Sequence, residues 1–230
     1  MREQLLHLLF PHVCLVCQKL LLPEEEYCCS ACKETFDPFK TPSEAEDALR
    51  QTVVSHFGDH FQFERAWCRY QFHKKSALQQ VLHSMKYEGL YNLGKSFGRQ
   101  LGEWMLSEGD IGDIECIVPV PLHRLKKTER SYNQSEKIAE GLAQSLKQPV
   151  RSGLLVRKRY TVSQTGLSAQ ARQKNSEGAF FALQGVRGCH VLLVDDVVTT
   201  GATLAAAAQA LRESGAEKVS LAAVALAAKE

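Results

Sequence analysis

Val191-Leu192-Leu193-Val194-Asp195-Asp196-Val197-Val198-Thr199-Thr200-Gly201-Ala202-Thr203-Leu204 is the stretch that decides how this chain is read. It opens with an unbroken aliphatic run in which polar and apolar residues do not alternate. A strand buried on both faces, as in a parallel sheet, has that composition. Two adjacent acids follow, then small hydroxyl residues and a glycine, then an Ala-rich helical run from Thr203 to Ser214. Such a turn offers backbone N–H groups to a phosphate, and the helix dipole adds partial positive charge. Thr199, Thr200 and Thr203 add hydroxyl donors, and Val198, Gly201 and Ala202 complete the loop. Asp195 and Asp196 are wrong for phosphate but right for sugar hydroxyls, or for water around a magnesium ion. One Asp at a strand end can simply cap the next helix. Two acids followed by Thr-Thr-Gly-Ala-Thr exceed what a cap requires.

The length of 230 residues allows one ordinary domain with a small appendage. A net charge of +2 supplies no global field that would demand nucleic acid or a membrane surface. No apolar run approaches the ~18 residues of a membrane-spanning helix. The start, Met1-Arg2-Glu3-Gln4-Leu5-Leu6-His7-Leu8-Leu9-Phe10-Pro11, has a superficial likeness to a signal peptide. Its beginning is not strongly basic, His7 interrupts the apolar run, and no small-residue cleavage site follows. The expectation is a cytoplasmic protein.

Eight cysteines are present, and Cys14, Cys17, Cys28, Cys29 and Cys32 crowd near the start. Cys14-Leu15-Val16-Cys17 and Cys29-Ser30-Ala31-Cys32 form two C-x-x-C knuckles, the pattern of a four-thiolate zinc site. Cys28 competes with Cys29, but only Cys29 keeps the x-x spacing. A metal here replaces the core that so short a module cannot build, and four thiolates leave no open position for catalysis. Disulfides are disfavoured by the absence of a secretion signal. Cys68, Cys116 and Cys189 sit among apolar neighbours and read as ordinary buried thiols.

Residues 1–40 thus read as a four-Cys zinc module and 41–65 as a connector, with one helix over Ser43–Val54. Residues 66–230 read as the main domain. Within it, 74–107 is a helical segment and 114–230 the core, where apolar strands alternate with helices. The strand Ala66–Phe72 precedes helices carrying Leu78, Val81, Leu82 and Met85, then Leu93, Phe97, Leu101, Trp104 and Met105. Gly89-Leu90-Tyr91-Asn92-Leu93-Gly94-Lys95-Ser96 matches the P-loop pattern, with Val191 to Asp195 as a conceivable acidic-strand partner. A P-loop needs a strand before it. What precedes Gly89 has helical spacing, so Lys86 and Lys95 read as exposed helix residues, with Lys86 able to face an anion.

The strand Ile114–Pro121 leads into Leu122 and then four cations, Arg124, Lys126, Lys127 and Arg130, suited to seat a pyrophosphate. Gln134–Lys147 reads as a helix ended by Gln148-Pro149, and Gly153–Val156 as a short strand. A polar, basic loop from Arg157 to Leu167 has the character of a lid. Gly178–Leu183, a glycine C-cap at Gly215 and a last strand at Val219–Leu226 complete the pattern.

The opening stretch closely resembles the phosphoribosyl pyrophosphate signature of type I phosphoribosyltransferases. The resemblance assigns the ribose hydroxyls to Asp195 and Asp196 and the 5′-phosphate to Val198 through Thr203. Further segments narrow the family: the four-cysteine module, Val118-Pro119-Val120-Pro121-Leu122, Arg130-Ser131-Tyr132-Asn133-Gln134-Ser135, and Ser163-Gln164-Thr165-Gly166-Leu167 with Arg172 and Asn175. Together they are similar to the ComF family, in which a zinc-ribbon-like module precedes a type I phosphoribosyltransferase domain linked to DNA uptake in natural transformation. Ser131 departs from the glycine usual in that segment.

The resemblance implies an α/β fold with an open, mostly parallel sheet and the site at the strands' C-terminal ends. It implies transfer of phosphoribose from phosphoribosyl pyrophosphate, with magnesium, to an acceptor the sequence does not name. Asp195, Asp196 and Arg130 would be catalytic, while Leu122, Arg124, Asn133 and Arg157 would join the loop in binding the donor. The alternative is a non-catalytic module that senses the donor, or binds single-stranded DNA or a DNA-uptake protein. Tyr132 and Tyr160 would then serve as stacking rings.

Overall fold

The computed structural model describes residues 12–57, 61–87, 90–107, 109–122, 132–157 and 179–228. The main sheet has five strands in the order β1-β2-β7-β6-β3: β1 Asp37–Pro38, β2 Ala66–Phe72, β3 Cys116–Pro119, β6 His190–Val198 and β7 Lys218–Ala227. The pairings β2–β7, β7–β6 and β6–β3 are parallel, and only the edge pair β1–β2 is antiparallel. The run that opened the sequence analysis is therefore a central strand, held by β7 on one side and β3 on the other. It extends past the acids to Val198, because Ala223, Ala225 and Leu226 of β7 continue to pair with it.

Its side chains alternate between two apolar layers, which explains a hydrophobic run without alternation. Val191 and Leu193 face a layer built with Ala45, Leu49 and Val53 of helix α2 (Pro42–Phe57) and Leu204, Ala207 and Leu211 of helix α6 (Ala202–Glu213). Leu192 and Val194 face the opposite layer, formed with helices α3 (Ala77–Tyr87), α4 (Tyr91–Leu106) and α5 (Gln134–Leu146). Burying one such aliphatic side chain contributes about 1.5–3 kcal/mol. The stretch read as a connector thus carries a helix, α2, longer than expected and integral to the first layer. Leu21, Tyr27 and Phe36, flanking the cysteines, pack into the second layer.

Helices α4 and α5 run side by side in the same direction with almost no space between them. A Cβ on Gly98 would lie 2.0 Å from the Ile138 carbonyl oxygen, and one on Gly141 would lie 2.1 Å from that of Lys95. Gly94 faces Lys137 and Gly102 faces Ser145 in the same ladder. The P-loop alternative ends here. Gly94, Lys95 and Ser96 lie inside α4, Lys95 pairs with Glu140 at 3.0 Å, and the buried Ser96 hydroxyl donates to Glu26.

Strands β4 (Leu155–Arg157) and β5 (Phe180–Ala182) pair antiparallel in a separate two-stranded sheet. β4 begins later than the expected Gly153, which takes a left-handed φ of +94° in the preceding turn. Gly215 follows α6 at φ +95°, the left-handed position expected of a helix-ending glycine. Among the described residues no helix is long and apolar enough to cross a membrane. Arg124, Lys126, Lys127, Arg130, Ser131, Gly89, Tyr160 and the expected lid from Lys158 to Leu167 lie outside the described residues. So do Arg172 and Asn175.

Candidate functional site

Asp195 and Asp196 stand near the C-terminal end of β6, where the parallel strands finish. Asp195 Oδ1 accepts the Ser135 hydroxyl at 3.0 Å and the Asp196 N–H at 2.9 Å. Asp196 Oδ1 accepts the Val197 N–H at 2.7 Å. Both carboxylates are half-buried. The chain then turns through Thr199 and Thr200 into Gly201, whose φ of +79° is left-handed. A Cβ there would also meet Val53 Cγ2 at 2.9 Å, so space and backbone both call for glycine. Helix α6 starts at the next residue, and Thr200 Oγ1 accepts the Ala202 N–H at 3.4 Å. Thr199 is exposed and Thr203 half-buried, whereas Val198 is buried in the first layer and offers the loop only its backbone.

Two further segments converge on this corner. Val120 donates its N–H to the Val194 carbonyl at 2.8 Å, which brings the chain leaving β3, with half-buried Leu122, alongside β6. Asn133 is buried just before α5 and donates from Nδ2 to the Val120 carbonyl at 2.9 Å. It therefore holds the loop's two ends together. Arg157, at the end of β4, stacks its guanidinium 5.2 Å from the Phe180 ring centre. Burial lowers its pKa, and the charge of Asp195 opposes that shift, so the two groups share one electrostatic neighbourhood. The sequence reading had not singled out Ser135 as a partner of Asp195. Its one local signal is its place in the first turn of a helix that follows a strand's C-terminal end. Tyr132, read as a stacking ring, is only 5% exposed, with its hydroxyl donating to the Met85 carbonyl. It cannot offer a face to a ligand.

The second candidate site is the cysteine cluster. The Sγ atoms of Cys14, Cys17, Cys29 and Cys32 all lie within 4.8 Å of one another. The Cys17–Cys29 separation is 3.7 Å. Tetrahedral ligands at about 2.3 Å from zinc would be spaced about 3.8 Å apart. Each knuckle is shaped by its own backbone: Val16 N–H points at Cys14 Sγ at 3.4 Å, and Cys29 caps the short helix α1 (Ser30–Lys33). Burial raises the Cys14 thiol, but N–H groups of Cys17, Cys29 and Val16 outweigh it and bring the pKa down to about 6. Cys28 stands outside the four, 3.8 Å from Cys14 and fully buried. Burial first, then its contact with Cys14, pushes its thiol up to about 12.

Comparison with known proteins agrees with this arrangement. A family described as "Phosphoribosyl transferase domain" matches residues 133–230, from Asn133 through the acidic pair to the end of the chain. "Competence protein F" of Haemophilus influenzae is 27% identical over 214 residues, covering 90% of this chain and 93% of that protein. Over nearly its whole length the chain is thus similar to a competence protein, and its C-terminal part to the phosphoribosyl transferase domain. "DNA utilization protein YhgH" of Salmonella typhi is 41% identical over 145 residues, 62% of this chain and 64% of the relative. "Competence protein ComFC" of Bacillus subtilis is 31% identical over 105 residues, 43% of this chain and 39% of the relative. The chain combines a phosphoribosyltransferase-type α/β domain with a four-cysteine cluster.

Proposed function

We propose that the protein binds phosphoribosyl pyrophosphate with magnesium at the end of β6 and transfers its phosphoribosyl group to a nitrogen nucleophile. The observation that carries this is the junction of Asp195 and Asp196 with the Thr199–Thr203 loop at the N-terminus of α6. In this reading the loop amides and threonine hydroxyls hold the 5′-phosphate, and the acidic pair holds the ribose hydroxyls. The C–O bond from the anomeric carbon to pyrophosphate breaks with both electrons leaving on pyrophosphate. The nitrogen bonds to the carbon and gives up its proton. Positive charge then grows on the ring, where the two carboxylates favour it, and negative charge on the leaving group, where Arg157, Arg124 and Arg130 favour it. Two carboxylates suit a hard cation's water shell, and magnesium would neutralise pyrophosphate charge. In this reading Leu122 and Asn133 bound the pyrophosphate-binding segment, and Asn133 ties its end to Val120 beside β6.

The four thiolates suit zinc, in a structural role, since soft sulfur donors in a closed tetrahedron leave no position for substrate. We place the protein in the reducing cytoplasm, where thiolates remain available as zinc ligands. The test is release of pyrophosphate from the donor with magnesium. Wild type should release it when a suitable amine is supplied, and Asp195→Asn/Asp196→Asn should not.

A second reading is favoured by the names of the relatives, which concern competence and DNA utilization. In it the same site senses the donor while basic segments bind single-stranded DNA during uptake. Salt-dependent DNA binding lost on removing charge at Lys126, Lys127, Arg157 and Lys158, with no pyrophosphate release, supports this reading over the first.

A further inference from the structure

Cys28 is the cysteine that the two knuckles leave over, and it stands against the metal-ligand cluster. Of the four clustered cysteines only Cys14 is fully buried; Cys17 is exposed, and Cys29 and Cys32 are half-buried. A thiolate open to water takes hydrogen bonds from it, whereas a buried one needs donors from the protein. Val16 N–H supplies one at 3.4 Å. Cys28 Sγ, also fully buried, lies 3.8 Å from Cys14 Sγ, within reach of a sulfur–sulfur hydrogen bond. With both thiols protonated, Cys14 donates to Cys28. A sulfur bound to a metal has lost its proton, so the bond then persists only if the Cys28 S–H turns to Cys14. The fold holds Cys28 in this place. Leu15 N–H donates to the Tyr27 carbonyl at 3.0 Å, joining the first knuckle to the residue before Cys28. Tyr27 packs its ring on Phe97 of α4, and Glu26 accepts from Ser96 and, at 3.2 Å, from Arg99.

We propose that Cys28 is a positioning residue of the cysteine site, its thiol donating a hydrogen bond to the Cys14 thiolate. The inference rests on the zinc reading above and gives the fifth cysteine of the module a role other than ligation. A donor to a ligand atom fixes that atom's orientation and disperses its negative charge, which inside an apolar layer water cannot do. Loss of such a partner weakens metal binding by about 10–100-fold.

The test measures zinc affinity of the full chain by competition with a chelator, for wild type, Cys28→Ser, Cys28→Ala and Cys28→Val. The sulfur-to-cobalt charge-transfer band of each is recorded after cobalt substitution. Cys28→Ala and Cys28→Val cannot donate, and should bind zinc about 10–100-fold more weakly, with the band at lower energy. Cys28→Ser keeps a donor and should bind close to wild type, and its stronger O–H donor should move the band to higher energy. Val fills the space of the thiol, so a role in packing alone leaves its affinity and its band as in wild type. That result overturns the inference. So does a Cys28→Ser that binds zinc as weakly as Cys28→Ala, which would make Cys28 a ligand or a core residue. If the apolar variants fail to fold, the Ser band decides: a shift to higher energy supports the inference, and an unmoved band overturns it. A wild type that binds neither metal contradicts the zinc reading itself, and the inference falls with it.

Discussion

Cys14, Cys17, Cys29 and Cys32 come from one short stretch, whereas the acidic corner is assembled from segments far apart in the chain. Asp195 on β6 meets Ser135 at the start of α5 and shares its field with Arg157 at the end of β4. The two sites therefore depend on the fold in opposite directions. In the zinc reading proposed above, the metal holds the four cysteines of the module together. The acidic corner exists because the sheet and helices are already in place. In the proposed reading one site stabilises the fold, and the other uses it.

The sharpest way to break this contrast is to remove the metal. Structural zinc sites contribute about 10–16 kcal/mol in isolated fingers. A strong chelator, or Cys32→Ser, should unfold residues 12–38 and lower the thermal midpoint of the chain. Tyr27 packs on Phe97 at 5.3 Å between ring centres, so hydrogen exchange in α4 should rise as well. Unchanged exchange there would show the module to be independent of the second layer.

The next largest effect falls on the frame of the acidic corner. Gly98→Leu must displace the Ile138 backbone, and overpacking of this kind costs about 1–3 kcal/mol or more. Denaturant unfolding should report that loss, and donor affinity should fall with it because α5 carries Ser135. By contrast, Ser135→Ala should leave the fold nearly intact while removing one hydrogen bond to Asp195, worth about 1 kcal/mol. Titration calorimetry should then show a donor affinity weaker by a few-fold.

The smallest effect sits at the opposite end of β6. His190 is buried with Nε2 2.9 Å from Ser220 Oγ, and burial, then Lys218, lowers its pKa from 6.5. Glu64, Asp113 and Glu115 pull the other way. A depressed histidine means that the unfolded chain binds the proton more readily than the folded one. Its stabilising contribution is full above pH 6.5 and is lost as pH falls from there toward the folded pKa. His190→Gln should flatten that part of the stability–pH curve without touching donor affinity.

What could be read from the sequence divides along the same line. The strand ending in Asp195 and Asp196 was legible because two buried faces leave a continuous aliphatic run. The cysteine pairs were legible because metal ligation imposes a local spacing. Ser135 and the α4–α5 contact were not, since their roles depend on which helix lies beside which. The glycines at 94, 98 and 102 recur every fourth residue and carried that information. In isolation the first of them completed a P-loop pattern instead. Helix α2 was underestimated because its charged exposed face masks the buried Ala45, Leu49 and Val53.

Thermal unfolding with magnesium and phosphoribosyl pyrophosphate, for wild type and Asp195→Asn/Asp196→Asn, tests the central claim most directly. At a hundredfold excess over its dissociation constant the donor should stabilise wild type by about 2.7 kcal/mol. The double variant should unfold at its ligand-free temperature. A wild type that does not shift, or a variant that shifts equally, would contradict the assignment of the donor to the end of β6.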